Sequence, residues 1–202
     1  MTSSIKVVGL GGSLAHASSS LAALRITLEG ADKAGAVTEL LDVRELNLPM
    51  YDPTEKNPPD SVRQLCKAVE NSHGLIWSSP LYHGTISGAF KNALDWLQLL
   101  STKNPPYLTD KVVGLVGAAG GGHGLQAINT MEFVVRALRG WAVPLVVPIS
   151  RSWAAFDENG GATDPKLVQQ LHSLGEEVTR MARRISIEPL TGNKVTTQLR
   201  KR

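Results

Sequence analysis

Glycine and serine residues follow the first apolar run of the chain. Residues 5–10 lead directly into Gly11, Gly12 and Ser13, and three serines end the segment 11–20, which we call the first loop. Glycine lets a backbone approach a ligand closely, and hydroxyls and free amides at the start of a helix bind anions. The first loop contains no lysine or arginine. It therefore predicts either an anion site made of hydrogen bonds or an ordinary serine helix cap.

Two later loops have residue types suited to a flat ligand. The third-strand loop, residues 78–88, contains Pro80, Tyr82 and Gly84, and so combines a rigid turn, an aromatic ring and a flexible backbone. The glycine loop, residues 117–124, has no side chain larger than a methyl group before its histidine. Glycine loses much conformational entropy on folding. The density of glycine here indicates a backbone surface against a ligand. The alternative for the third-strand loop is a turn and a capped helix, and the alternative for the glycine loop is a flexible connection.

The elements that must position these loops alternate between strand and helix. Short apolar runs predict five buried strands at 5–10, 37–41, 75–78, 112–116 and 143–149. Helical patterns predict helices at 18–31, 59–71, 87–100, 125–138 and 165–184, the last with Asp164 as N-cap and Pro165 at its first position. This order predicts an α/β doubly wound fold with a five-stranded parallel sheet. Ligands of such sheets bind beyond the carboxyl ends of the strands, where the three loops should meet.

The domain organisation follows from length and composition. The chain of 202 residues is sufficient for one sizeable α/β domain. We see no internal repeat or interdomain linker, so residues 1–186 are expected to form a single domain and 187–202 a C-terminal tail. Long loops are predicted at 46–60, 102–110 and 150–163.

Several classes of function are disfavoured by composition. A formal net charge of +3 without a long basic face argues against nucleic-acid binding. The single cysteine, Cys66, excludes an internal disulfide and CxxC motifs. It lies in a helical pattern, which favours a buried structural thiol over a catalytic one. No secretion signal or membrane-spanning run is present, so we expect a cytoplasmic protein without membrane partners.

The sequence lacks two common phosphate-binding motifs. A P-loop needs Gly-Lys, and the sequence contains no such pair. The dinucleotide fingerprint needs a third glycine for close helix packing, and Leu14 occupies that position.

Motifs in all three loops resemble those of the NADPH-dependent FMN reductase family, which has a flavodoxin-like fold and includes flavin, quinone, azo-dye and chromate reductases. Residues 12–18 match Gly-Ser-x-Arg-x-x-Ser, and residues 48–52 match Leu-Pro-x-Tyr-Asp. Residues 80–96 match Pro-Glu-Tyr-Asn-Gly…Gly…Leu-Lys-Asn-Ala-Ile-Asp-Trp, the most specific segment. The resemblance extends over residues 5–185. Departures from the pattern are Ala15 for arginine, Ser20 for asparagine, Leu81 for glutamate and His83 for asparagine.

The resemblance implies an FMN-dependent oxidoreductase. Hydride would pass from NADPH or NADH through bound FMN to a second acceptor, such as free flavin, a quinone, an azo dye or a metal oxyanion. The FMN phosphate would lie in the first loop, and the flavin ring on the third-strand loop with its polar edge near the glycine loop. The implied cofactor-binding residues are Ser13, Ser18, Ser19, Ser20, Pro80, Leu81, Tyr82, His83, Gly84, Thr85, Gly117, Gly120 and Gly121.

No catalytic side chain and no metal ligand are assigned, because the cofactor itself performs the chemistry. His83 and His123 are candidate proton sources near the flavin. The simpler interpretation is that each is merely an exposed loop histidine.

The resemblance also implies a homodimer or homotetramer, with the helix after the third-strand loop near the interface. That helix has more apolar residues than one sheet face needs, namely Phe90, Leu94, Trp96, Leu97 and Leu100.

Two alternatives remain open. The first is a flavin-binding electron carrier or sensor without its own NAD(P)H turnover, although flavodoxin-type carriers are strongly acidic and this chain is not. The second, weaker alternative is a serine esterase that uses Ser13. Such an enzyme needs a late Asp-x-x-His to activate the serine, and the sequence has none.

Overall fold

The computed structural model describes residues 4–11 and 13–187, so Gly12 and nearly all of the predicted tail lie outside it. The strands are β1 (Ile5–Gly11), β2 (Ala36–Asp42), β3 (Gly74–Tyr82), β4 (Thr85–Ile86), β5 (Val112–Ala118) and β6 (Trp141–Ile149). The helices are α1 (Ser19–Lys33), α2 (Val43–Leu46), α3 (Asp60–Glu70), α4 (Gly88–Trp96), α5 (Gly124–Ala137) and α6 (Pro165–Ile187), with a 3-10 turn at Leu97–Leu100. As predicted, Asp164 caps α6 by accepting a hydrogen bond from the Lys166 N–H at 2.9 Å.

Five strands form a parallel sheet in the order β2-β1-β3-β5-β6, and the short β4 pairs antiparallel with β3. The predicted doubly wound, five-stranded parallel sheet is therefore confirmed. The chain moves to opposite sides of β1 when it adds β2 and β3, so the strand order reverses there. The carboxyl ends of β1 and β3 lie together at this point, because Gly11 pairs in register with Ser78.

Both faces of the sheet are covered, which explains why the strands are almost continuously apolar. Successive side chains alternate between faces. Val7 contacts the core beneath α1 and α6, whereas Val8 belongs to the core beneath α3, α4 and α5. The helices α1 and α6 cross closely, since a Cβ added at Gly175 would meet the Thr27 carbonyl oxygen.

The five apolar residues that suggested an oligomer interface lie in the core instead, so that prediction was wrong. Phe90 and Leu97 are completely buried, and Leu94, Trp96 and Leu100 are at most 4% exposed. All five belong to the core on the α3, α4 and α5 face of the same chain. The helix ends at Trp96 and continues as a 3-10 turn. Residues three apart in such a turn lie on one side, so Leu97 and Leu100 both point into the core.

The cysteine is buried, as predicted, and its Sγ–H donates to the Trp96 carbonyl oxygen at 3.6 Å. Burial raises the pKa of the Cys66 thiol to about 11, so the group is a protonated structural residue at neutral pH. Among residues 4–11 and 13–187, no helix is long and apolar enough to cross a membrane.

Candidate flavin site

The third-strand loop forms a tight hairpin that sequence reasoning did not predict. Tyr82 on β3 pairs with Thr85 on β4, which leaves His83 and Gly84 as the two turn residues. Their φ angles are +49° and +85°. Positive φ at both central positions is the type I′ turn, whose twist matches that of the flanking strands. The signal was present in the family pattern, because Asn-Gly is the preferred pair for this turn and histidine replaces the asparagine here.

Serine side chains fix the base of this hairpin. The Ser79 Oγ accepts a hydrogen bond from the Ser87 N–H at 3.1 Å. The Ser87 Oγ in turn accepts from the Phe90 N–H at 3.1 Å and caps α4. The hairpin is therefore attached to the start of α4. Pro80 and Leu81 are partly exposed, and Tyr82 through Thr85 are exposed at its tip.

The first loop brings two of the four predicted serines, Ser18 and Ser20, into direct contact. Ser18 caps α1 by accepting from the Leu21 N–H at 3.2 Å, and its hydroxyl lies 3.0 Å from that of Ser20. Ser13 is 6% exposed, and its Oγ accepts from the N–H two residues later. Ser78, on β3, donates to the Ser20 carbonyl oxygen at 2.7 Å. This bond joins the carboxyl end of β3 to the start of α1.

The fourth serine is engaged elsewhere. The Ser19 hydroxyl donates to the Ser152 carbonyl oxygen at 2.8 Å, in the segment after β6. Ser13 is equally committed to its own loop, which gives no support to the esterase alternative.

The glycine loop has two parts with different roles. Gly117 is buried, and a Cβ there would meet the Gly124 carbonyl oxygen, so glycine is needed for β5 to pack against the start of α5. A Cβ at Gly120, Gly121 or Gly122 would find nothing within 4 Å. The backbone at 120–122 is therefore open to a ligand. This open segment includes two of the three predicted glycines, whereas Gly117 supports the packing behind it.

Residues of α4 hold a loop that sequence reasoning matched to the family without assigning a role. The Asn92 amide donates to the Pro49 carbonyl oxygen at 2.8 Å, and its Oδ1 accepts from the Tyr51 N–H at 2.7 Å. The Trp96 indole N–H donates to the same Pro49 oxygen at 2.9 Å. The ring of Tyr51 lies edge-on to Trp96, with centroids 5.1 Å apart. The motif residues Asn92 and Trp96 thus position the segment after β2.

A cleft beside the first loop was also not predicted. It has a volume of about 900 Å³ and lies between the first half of α1 and the segment 150–163. Its lining includes the apolar residues Ile26 and Phe156, and Trp153, which also lines it, is 75% exposed. Of the predicted residues, only Ser18 and Ser19 line it.

The residues present fit FMN. Buried hydroxyls and helix-start amides suit a phosphate, and the hairpin and the open backbone at 120–122 suit a flat ring with polar edges. His83 and His123 are both exposed at this edge of the sheet.

The sequence matches the NADPH-dependent FMN reductase family over residues 5–154, which is most of the chain. The protein belongs to this family.

Two curated relatives are named as FMN-linked, NADPH-dependent reductases. The NADPH-dependent FMN reductase ArsH of Acidithiobacillus ferrooxidans is 33% identical over 113 residues, 56% of this chain and 47% of that protein. An FMN-dependent NADPH-azoreductase of Staphylococcus aureus is 34% identical over 127 residues, 60% of this chain and 64% of that protein. The chain thus matches between about half and two thirds of the length of these relatives.

Solved structures share the flavodoxin-like fold. RosB, with bound 8-demethyl-8-formylriboflavin-5'-phosphate, has a TM-score of 0.76 at 16% identity and covers 94% of this chain and 83% of its own. The flavoenzyme NAD(P)H:(acceptor) oxidoreductase FerB from Paracoccus denitrificans has a TM-score of 0.69 at 19% identity and covers 89% and 98%.

Proposed function

We propose that the protein is an FMN-dependent oxidoreductase that transfers hydride from NADPH or NADH through bound FMN to a small-molecule acceptor. The observation that supports this most is the meeting of three loops where the strand order reverses. There the capped start of α1, the β3–β4 hairpin and the open backbone at 120–122 lie at one edge of the sheet. Flavin, quinone, azo dye and metal oxyanion are all acceptors of the right class, because an open flavin face admits each of them.

The first loop binds the FMN phosphate in this proposal. Ser13, Ser18 and Ser20 supply hydroxyls, and the free amides at the start of α1 point toward the anion. The helix dipole adds about half a positive charge there. The hydrogen bond from Ser78 to Ser20 joins the start of α1 to β3, the strand that leads into the hairpin. It therefore fixes the position of the phosphate site relative to the flavin-ring site.

The hairpin and the glycine loop bind the flavin ring. Residues 80–85 support it, and the amides near Gly84 and 120–122 donate to its polar edge. FMN supplies two-electron transfer between donor and acceptor, so the protein's part is to bind, orient and leave one ring face accessible.

The test is FMN-dependent NADPH oxidation. Protein stripped of flavin should oxidise NADPH with a quinone or azo-dye acceptor only after FMN is added, and riboflavin should serve less well because it lacks the phosphate. NADPH oxidation that does not respond to FMN would contradict the proposal.

We also infer a homodimer or homotetramer, supported now by a different surface. On α5, Leu125 is 50% and Phe133 71% exposed, two large apolar side chains that the core of this chain does not cover. Sedimentation at micromolar concentration should give a dimer or tetramer, and Phe133→Glu should dissociate it. Met50→Glu, at an 80% exposed position in the loop after α2, is the control. A monomeric wild type would contradict this inference.

A cytoplasmic location is part of the same proposal, because the cytoplasm supplies reduced nicotinamide nucleotides. Proteolytic accessibility in intact and permeabilised cells would test it.

A further inference from the structure

The proposed phosphate site lacks a counter-charge within its own loop. Residues 13–20 contain hydroxyls and one histidine but no lysine or arginine. A phosphate monoester carries about −1.5 to −2 charges at neutral pH. Hydrogen bonds to a charged partner are roughly twice as strong as neutral ones. A cation from outside the loop would therefore strengthen binding considerably.

One guanidinium already contacts the first loop. The Arg44 Nη2 donates to the His16 Nε2 at 3.2 Å, and both residues are exposed. Arginine has no acceptor atom, so the His16 Nε2 is the acceptor in this contact. The remaining guanidinium N–H groups stay available for an anion.

The fold fixes the backbone position of Arg44 relative to the first loop. Asp42, the last residue of β2, pairs in register with Gly11, where the first loop begins. The Asp42 carboxylate is largely buried and accepts from the Arg44 N–H at 2.9 Å. The backbone of Arg44 is therefore held beside the first loop by β2 and its cap, independently of the arginine side chain.

We propose that Arg44, oriented by His16, is the cation that binds a phosphoryl group at the first loop. The family pattern has its arginine at position 15, where this chain has alanine. Arg44 thus supplies from the end of β2 the charge that the loop lacks. This inference rests on the proposed function. The phosphoryl group has two sources, the 5′-phosphate of FMN and the 2′-phosphate of NADPH, and the experiment separates them.

The first arm compares two flavins. FMN and riboflavin are titrated by fluorescence into flavin-free wild type and Arg44→Gln. Loss of a charged hydrogen bond should weaken FMN binding by about tenfold or more, and riboflavin binding should not change. Arg44→Lys should retain part of the affinity, and adding Ala15→Arg to Arg44→Gln should restore it. His16→Ala should weaken FMN binding less than Arg44→Gln does, because the charge remains.

The second arm compares NADPH with NADH. If the 2′-phosphate is the group bound, Arg44→Gln should raise KM for NADPH about tenfold and leave KM for NADH unchanged. Arg180→Gln is the control for a change of net charge. Arg180 is exposed on α6, and its only ion pair is with Glu177 at 3.9 Å among the described residues. Equal melting temperatures would show that the variants fold.

The outcomes are distinct. A selective loss for FMN or for NADPH supports the inference and names the phosphate. An Arg44→Gln protein that matches wild type in both arms overturns it while leaving the proposed function intact. A wild type that binds neither flavin overturns both.

Discussion

His83 has a backbone role at the tip of the β3–β4 hairpin. Its φ of +49° lies in the left-handed region, at the first of the two turn positions. Histidine, asparagine and aspartate adopt this region more readily than other non-glycine residues. The requirement depends on the β3–β4 pairing, which the sequence around it did not reveal.

This role gives a prediction that separates backbone geometry from proton transfer. His83→Asn should keep both stability and NADPH turnover, since asparagine suits the turn. His83→Val should lose about 1–2 kcal/mol of unfolding free energy and bind FMN more weakly, because a β-branched residue is strained at positive φ. Urea unfolding and FMN titration measure these effects. An Asn variant that binds FMN normally yet does not turn over would instead assign His83 a proton-transfer role.

At the scale of elements, the strands and the loops between them were predictable, and the partners of α4 were not. Continuous apolar runs identified all five parallel strands to within a few residues. The apolar residues of α4 suggested an interface because nothing in the sequence shows that α2, α3 and the segment after β2 pack against this helix. Local patterns report which residues are apolar, whereas burial depends on contacts distant in sequence. For the same reason, the sequence did not reveal that Asn92 holds the segment after β2.

Asn92→Ala tests the connection between α4 and the segment after β2. The variant leaves the Tyr51 N–H without its partner, and it should lower the unfolding free energy by about 1–3 kcal/mol. Trypsin should also cleave faster after the exposed Lys56 in the released segment. Gln170→Ala, a carboxamide at an exposed position on α6, is the control and should change neither quantity. An Asn92→Ala protein with wild-type cleavage and stability would contradict this role.

At the scale of the whole molecule, the sheet and its two cores fix how the three loops meet. The order of predicted elements was sufficient to place the loops at one edge, since alternating strands and helices allow few topologies. The close crossing of α1 and α6 was not predictable. Gly30 and Gly175 interrupt good helical patterns, and only the structure shows that each faces the backbone of the other helix.

Gly175→Ala should therefore be strongly destabilising. Its methyl group would meet backbone atoms of α1, and the two helices would have to separate, at a cost of about 1–3 kcal/mol. Gly88→Ala is the control, because nothing lies within 4 Å of a Cβ in that first turn of α4. That change should be neutral or stabilising by up to about 1 kcal/mol. Equal urea midpoints for the two variants would show that the helix crossing tolerates a methyl group.

The proposed function requires that this chain bind FMN and reduce it with a nicotinamide nucleotide. The most direct measurement is the visible spectrum of the FMN-loaded protein under anaerobic conditions, before and after NADPH or NADH is added. We predict rapid bleaching of the bound flavin and its recovery when a quinone or azo dye follows. Bound flavin that stays oxidised with both nucleotides would contradict the claim and favour a carrier or sensor reduced by another donor.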